Sequence, residues 1–390
     1  MEINFAVASR WLDGLTVYRG LLRLDVLRAV REMLEEDCAD RLSCYGRAFC
    51  ALAEAGYDSL AAWLGDRLRY DEWPYAMAVA KGEETPALIR AAGHDLEALR
   101  RLLALPWEEL AVSLSPEAPL PAWAGGELPS LEELTAFYRA NGCGQFARYH
   151  AFLWQSGRLI PVREPDCIPA EEMLGYHRQR SQVAANTRAM LAGRRVNNVL
   201  LYGASGTGKS ATVKALLAMD GMEGLRLIEV DKNDLTGIPE LVRMLGHQPQ
   251  KFILFIDDLA FDKDDHNYSL LKTILEGGVE PRPANVAVYA TSNRRHLVRE
   301  TFSDRLGDEV DASETIQEKT SLSERFGLRV LFQELTKPQF LEMIRELAKI
   351  RGVEMDPERL TALAVRWDIR NPNRTPRSAV QFLTSLAAME

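Results

Sequence analysis

Cysteine is scarce and unpatterned: the chain holds five in 390 residues, Cys38, Cys44, Cys50, Cys143 and Cys167, and none are spaced C-x-x-C. An odd number without metal-ligand spacing suggests neither a disulfide framework nor a zinc site, so the thiols are expected to be reduced and mostly buried. No uninterrupted apolar run approaches membrane-spanning length, and Met1-Glu2-Ile3-Asn4-Phe5 is not a basic stretch followed by an apolar one. No membrane association is therefore expected, and a cytoplasmic location is the default. Positive charge is in deficit, with 47 Lys and Arg against 56 Asp and Glu, a net charge of -9. Such a balance disfavours non-specific attraction to nucleic acid while leaving room for a local basic face. What is not lacking is apolar material: 47% hydrophobic and 26% charged residues describe a soluble globular chain with length for two or three cores.

The most informative stretch is Gly203-Ala204-Ser205-Gly206-Thr207-Gly208-Lys209-Ser210, set between the apolar run Val199-Leu200-Leu201-Tyr202 and a helix-like run beginning at Ala211. Strand, glycine loop and helix is the order that a phosphate requires. Glycines at 203, 206 and 208 let the backbone adopt positive φ and turn its N–H groups inward, forming an anion nest at a helix start. Lys209 is placed to reach β- and γ-phosphates and Ser210 to offer its hydroxyl to Mg²⁺, which completes G-x-x-x-x-G-K-[ST].

Downstream, Phe252-Ile253-Leu254-Phe255-Ile256 is an apolar strand that ends in Asp257 and Asp258. Its acids should emerge at the C-terminal edge of a sheet, where open α/β folds bind ligands. Asp257 is placed to hold Mg²⁺ and Asp258 to polarise an attacking water. A further strand, Val286 to Thr291, runs into Ser292-Asn293-Arg294-Arg295, and the Asn293 amide could position that water or sense a γ-phosphate. Arg325 precedes a last strand and Arg377 opens a last helix, each a fixed positive fork for charge developing on a phosphoryl group.

The organisation read from the chain is a helical N-terminal domain over 1–113, a Pro/Gly-rich linker over 114–130, a helical connector over 131–167, an α/β domain over 168–335 and a helical segment over 336–390. Within the connector, Leu131 to Ala140 and Gln145 to Trp154 are expected helices, the first capped by Ser130 with Glu133 three residues on. The aromatics Trp63, Tyr70, Trp73, Tyr75 and Trp107 are expected in a core. Five parallel strands are expected at Asn198–Tyr202, Leu225–Val230, Phe252–Ile256, Val286–Thr291 and Leu328–Phe332.

Glycine loop, Asp-Asp strand, Asn-ended strand and the two late arginines, in that order, resemble the AAA-plus P-loop ATPases. From about Leu131 onward the chain is more similar still to the bacterial AAA-plus group known as domain of unknown function 815. That similarity rests on Asn186-Thr187, Asn197 through Gly203, Gly224 through Val230, Leu275-Glu276-Gly277-Gly278 and Tyr289 through Leu297. The resemblance implies an α/β fold with a five-stranded parallel sheet, a C-terminal helical lid and a separate all-helical N-terminal domain. It implies ATP and Mg²⁺ as cofactors, with Gly203 to Ser210 as the Walker A loop flanked by Ala211, Asp257 and Asp258 as Walker B, Asn293 as sensor 1 and Arg377 as the sensor 2 arginine. Gly175 and Tyr176, in the segment Ile168 to Tyr176, would lie on the adenine side. Arg325 matches an arginine finger reaching a neighbouring subunit's nucleotide, hence a homo-oligomer, with a hexameric ring as one arrangement.

Two departures from the pattern stand out. Asp258 occupies a position where most AAA-plus proteins carry Glu, implying slower water activation, and Asp231 to Gly237 lacks the pore motif of protein-threading unfoldases. The expected activity is ATP hydrolysis driving conformational change in a protein partner chosen by the N-terminal helices. The alternative is a nucleotide-gated, helicase-loader-like module that grips DNA, for which the cluster Arg294-Arg295-His296 and Arg299, beside Glu300 and Asp304, is the candidate contact. A small-molecule P-loop kinase is disfavoured, since no acceptor-binding insert precedes the Asp-Asp strand.

Overall fold

The structure, a computed structural model, describes residues 4–232, 234–259, 271, 274–275, 282–293, 322 and 324–387. The basic cluster at 294–299 and the stretch 276–278 lie outside them. Two compact units divide the chain between Arg148 and Tyr149.

The first unit is helical, with α1 (Phe5–Asp13), α2 (Asp25–Leu34), α3 (Arg41–Glu54), α4 (Leu60–Tyr70), α5 (Pro74–Lys81), α6 (Pro86–Leu103), α7 (Trp107–Leu114), α8 (Leu131–Asn141) and the short α9 (Gln145–Arg148). The cap expected at the start of α8 is present. Ser130 Oγ accepts the Glu133 N–H at 3.1 Å while the Glu133 carboxylate accepts the Ser130 N–H at 2.6 Å, a reciprocal cap that fixes the start of α8. Trp63, Trp73, Tyr75 and Trp107 are buried in its core, and Tyr70 is half-buried beneath the Arg148 guanidinium, 4.6 Å above its ring. The Pro/Gly-rich stretch is not a free linker. Trp123 and Leu128 are buried, Trp123 stacks on Tyr45 at 4.8 Å, and the Tyr45 hydroxyl donates to the Pro121 carbonyl at 2.8 Å. Apolar side chains in this stretch outweigh its helix breakers, so the boundary between units falls after α9 instead.

The second unit carries a seven-stranded sheet in the order β2-β1-β4-β5-β6-β3-β7. Its strands are β1 (Ala151–Gln155), β2 (Arg158–Val162), β3 (Val199–Gly203), β4 (Leu225–Val230), β5 (Lys251–Ile256), β6 (Val286–Ser292) and β7 (Leu328–Phe332). The last five are the expected parallel strands. Among the described residues the count of five is corrected to seven by β1 and β2, which occupy the connector where Gln145 to Trp154 was expected to be one helix. That helix ends at Arg148, and the residues after it form a hairpin instead, closed by Ser156 and Gly157 at positive φ, 52° and 70°, which pairs Gln155 with Arg158. β1 then joins β4 in parallel, and Pro161 is accommodated on the edge strand.

Helices flank the sheet: α10 (His177–Leu191), α11 (Lys209–Lys214) and α12 (Ile238–Gly246). After β7 come α13 (Lys337–Ile350), α14 (Pro357–Arg370) and α15 (Pro376–Ala387), which share a core of Phe340, Met343, Ile344, Leu347, Leu360, Phe382 and Leu383. No described helix is long and apolar enough to cross a membrane.

One buried charge organises the start of the first unit. Asp95 on α6 is 0% exposed and accepts the Thr16 N–H at 2.8 Å, the Thr16 hydroxyl at 3.0 Å and the Tyr18 N–H at 3.0 Å. Removing it leaves the buried Tyr18 N–H without its acceptor, while the exposed Thr16 groups can turn to water, so Asp95→Ala is expected to cost about 1–3 kcal/mol. Urea unfolding followed by tryptophan fluorescence should show a lowered midpoint, and an unmoved midpoint would contradict this account.

Candidate functional site

The strand order places β3 between β6 and β7, the point at which successive connections depart in opposite directions along the sheet. In open α/β sheets the crevice beyond the carboxyl ends of the strands at such a point is where ligands sit. The turn after β3 is the glycine loop. Gly203 has φ +132°, and a Cβ there would stand 2.0 Å from the Phe332 carbonyl oxygen, so only glycine lets β3 pass this close to β7. The Ala204 N–H then donates to that same oxygen at 3.1 Å. Gly206 and Gly208 also have positive φ, 77° and 87°, and α11 starts immediately afterwards.

Lys209 is 6% exposed, and its ammonium donates to the Gly203 carbonyl at 3.0 Å, the Ala204 carbonyl at 2.8 Å and Asn293 Oδ1 at 2.9 Å. Burial pushes its pKa below the usual lysine range, opposed by the nearby Asp257 and Asp258 charges. The Ser210 hydroxyl donates to Asp257 Oδ1 at 2.6 Å. Asn293 faces both ways, since its Nδ2 donates to Asp258 Oδ1 at 2.8 Å. Asp258 itself stands in left-handed backbone, φ +48°. Thr291 completes the arrangement by donating its hydroxyl proton to Asp257 and accepting the Asp258 N–H at 2.9 Å.

These groups open onto a cavity of ≈ 710 Å³. From the C-terminal helices Arg377 lines it, with its backbone N–H donating to the Gly206 carbonyl at 3.3 Å. The turn carrying Arg377 is held by a two-pronged pair from Arg374 to the buried Asp368, at 2.8 and 3.1 Å. Away from the glycine loop the wall is apolar, formed by Ile168, Pro169, Met343, Leu347 and Val380. On this side Glu172 and Arg351 pair at 2.6 Å.

The structure thus brings Lys209, Ser210, Asp257, Asp258, Asn293 and Arg377 to one cavity, with Ser205, Gly206, Gly208 and Ala211 also lining it. Gly203, Ala204 and Thr207 shape the loop instead; the Thr207 hydroxyl donates to the Ala204 carbonyl at 2.8 Å. Gly175 and Tyr176 do not line the cavity, although Ile168 and Pro169 from the same segment do. Tyr176 is used as an anchor: its hydroxyl donates to the Gln333 carbonyl at 2.6 Å and its ring packs 5.1 Å from that of Phe332. Gly175, at φ +66°, lies where a Cβ would meet Met343 at 2.8 Å. Arg325 is exposed and precedes β7, at the end of the sheet opposite the glycine loop. At roughly 3.3 Å per strand residue it is on the order of 15 Å or more from the glycine loop. Thr291, Glu172 and Arg351 do not stand out in the sequence. The carboxylate and the guanidinium lie 179 residues apart, and no local pattern links them.

A family model described as "Protein of unknown function (DUF815)" matches residues 147–390. Among curated proteins there is no match. Among solved structures, the RuvB Holliday junction branch migration motor of Thermotoga maritima is 18% identical over 54% of this chain and 61% of that one, with a TM-score of 0.36. Aeropyrum pernix ORC1, solved in complex with DNA, is 20% identical over 55% of this chain and 58% of that one, with a TM-score of 0.35. Aeropyrum pernix ORC2 is 14% identical over 57% of this chain and 64% of that one, with a TM-score of 0.39. The chain thus spans less than two thirds of the length of each.

The close approach at Gly203 predicts a position-specific cost. Gly352 also has positive φ, +65°, but a Cβ added there would meet nothing within 4 Å, so Gly352→Ala registers backbone strain alone. Gly203→Ala adds a steric clash with backbone and is expected to be less stable than Gly352→Ala by at least about 2 kcal/mol. Thermal unfolding of the two variants side by side checks this, and equal losses would contradict it.

Proposed function

The chain belongs to the DUF815 family, and from that premise we propose that it is an AAA-plus ATPase that binds Mg²⁺-ATP at the glycine loop and hydrolyses it to ADP and phosphate. One observation carries the reading. A lysine and a serine at the head of α11 meet, within one cavity, an acid pair and an asparagine delivered by β5 and β6.

The donors suit the metal. Ser210 Oγ and Asp257 Oδ1 are hard oxygens 2.6 Å apart, the type of ligand that Mg²⁺ takes. When bound, that ion would supply positive charge against the charge developing on the transferred phosphoryl group. Lys209 exchanges its loop carbonyls for β- and γ-phosphate oxygens. Asp258 orients and polarises the attacking water, Asn293 holds Asp258, and Arg377 brings a planar cation from α15 onto the phosphates. The apolar wall formed with α13 and α15 receives the base, so nucleotide binding draws the three C-terminal helices in as a lid.

Arg325 serves a second subunit's site in this reading, because it stands at the wrong end of β7 to reach its own. The chain therefore works as a homo-oligomer, with a hexameric ring as one arrangement. Hydrolysis drives conformational change in a protein partner selected by the N-terminal helical unit, in a cytoplasmic setting.

Lys209→Ala is expected to lose nucleotide binding, and Asp258→Asn to bind ATP yet lose turnover by about 100-fold or more. Fluorescent-nucleotide titration and phosphate-release assays read the two properties separately, and normal phosphate release by both variants would overturn the assignment. Arg325→Ala should bind ATP normally but hydrolyse it at least about 100-fold more slowly, with mixing experiments restoring activity from subunits that keep the arginine. An unchanged rate would point to a self-contained site.

A further inference from the structure

We infer that Thr291 is the positioning residue that holds the two acids of the ATPase site in fixed relation, an inference that rests on the ATPase reading above. β5 and β6 pair in parallel up to Ile256 opposite Ala290, so Asp257 and Thr291 stand opposite one another one step beyond that pairing. From there the chain after β5 leaves the sheet, and Thr291 takes over the role of the ladder. Its hydroxyl has one proton to give. The Asp258 N–H arrives at Oγ1 at 2.9 Å, so Oγ1 accepts there and directs its own proton to Asp257 Oδ1. The Thr291 carbonyl accepts the Leu259 N–H at 2.7 Å. Three consecutive residues, Asp257, Asp258 and Leu259, are tied to one.

The tie has a purpose in the backbone. Asp258 sits at φ +48°, a conformation that non-glycine residues avoid unless the surroundings impose it. With that φ held, the Asp258 carboxylate meets Asn293 Nδ2 at 2.8 Å, while Asp257 faces the Ser210 hydroxyl. Thr291 is 2% exposed at the border of the cavity, and its hydroxyl makes both of its hydrogen bonds to the acid segment. In this reading the hydroxyl sets the separation between Asp257, the acid proposed for the metal, and Asp258, the acid proposed for the water, from the edge of the cavity that it helps to line.

Thr291→Val keeps the shape and removes the hydroxyl, whereas Thr291→Ser keeps Oγ. For Val, kcat for ATP is expected to fall about 10- to 100-fold, with KM little changed. A readout without turnover separates positioning from folding. Affinity for a fluorescent ATP analogue in EDTA should match wild type, because Lys209 and the glycine loop are intact, while the Mg²⁺ concentration giving half-maximal tightening should rise about 10-fold. Ser should lie within about threefold of wild type on every measure. A Val variant with wild-type kcat and Mg²⁺ dependence, or a Ser variant as impaired as Val, overturns the assignment of Thr291. A general loss of fold in Val would lower the EDTA affinity too, and Ser alone then decides. If the wild-type chain neither binds nor hydrolyses ATP, the ATPase reading itself fails, an outcome distinct from either of these.

Discussion

The constraint on which the rest depends is the burial of a lysine charge at the head of α11. An ammonium taken out of water is costly unless its protons find acceptors. Lys209 has three: two carbonyls of its own loop and the Asn293 side chain. Two of those acceptors exist only because Gly203 lets the backbone pass against Phe332 and turn back, and the third only because β6 runs beside β3 far enough to deliver position 293. Because Asn293 also binds Asp258, the cation and the acid are linked through one amide. Any ligand that drew Lys209 away from its carbonyls would act on that amide directly, and through it on Asp258.

Holding β3 and β6 in register is the task of buried polar groups behind the site. The Tyr289 hydroxyl on β6 meets Asn186 Nδ2 and Thr187 Oγ1 on α10, each at 2.9 Å, and Asn186 also donates to the Asn197 carbonyl at 3.0 Å. Asn198 Oδ1 accepts the Val288 N–H at 3.0 Å and an Arg282 N–H. Buried polar atoms satisfied in this manner specify one arrangement, because a slipped register would leave them unpaired. Several of the residues that carry the family resemblance, Asn186, Thr187, Asn197, Asn198 and Tyr289, belong to this framework and not to the cavity.

The sequence makes the central sheet legible for a physical reason: strands covered on both faces must be apolar throughout, and Phe252 to Ile256 is 0% exposed at every position. The two added strands were hidden because β1 is five residues long and follows helical text directly, while β2 contains a proline. The glycine loop and the two acids were legible because backbone freedom and charge are properties of single residues. Thr291 was not, since a threonine in a strand is ordinary, and its role depends on which residue of β5 lies opposite. Of the segment Ile168 to Tyr176, Ile168 and Pro169 reach the cavity wall, while Tyr176, seven residues on, anchors the start of α10, a division that no single residue type announces.

On the ATPase reading proposed above, the cavity above the glycine loop takes a nucleoside triphosphate whose metal is held through Asp257. The most direct measurement of this is isothermal titration of ATP into the full chain, with Mg²⁺ and with EDTA. Saturable binding of one nucleotide per chain is expected, tightened by the metal in wild type, with that metal-dependent gain lost in Asp257→Ala. Absence of saturable binding, or a gain from Mg²⁺ that survives removal of Asp257, would contradict it.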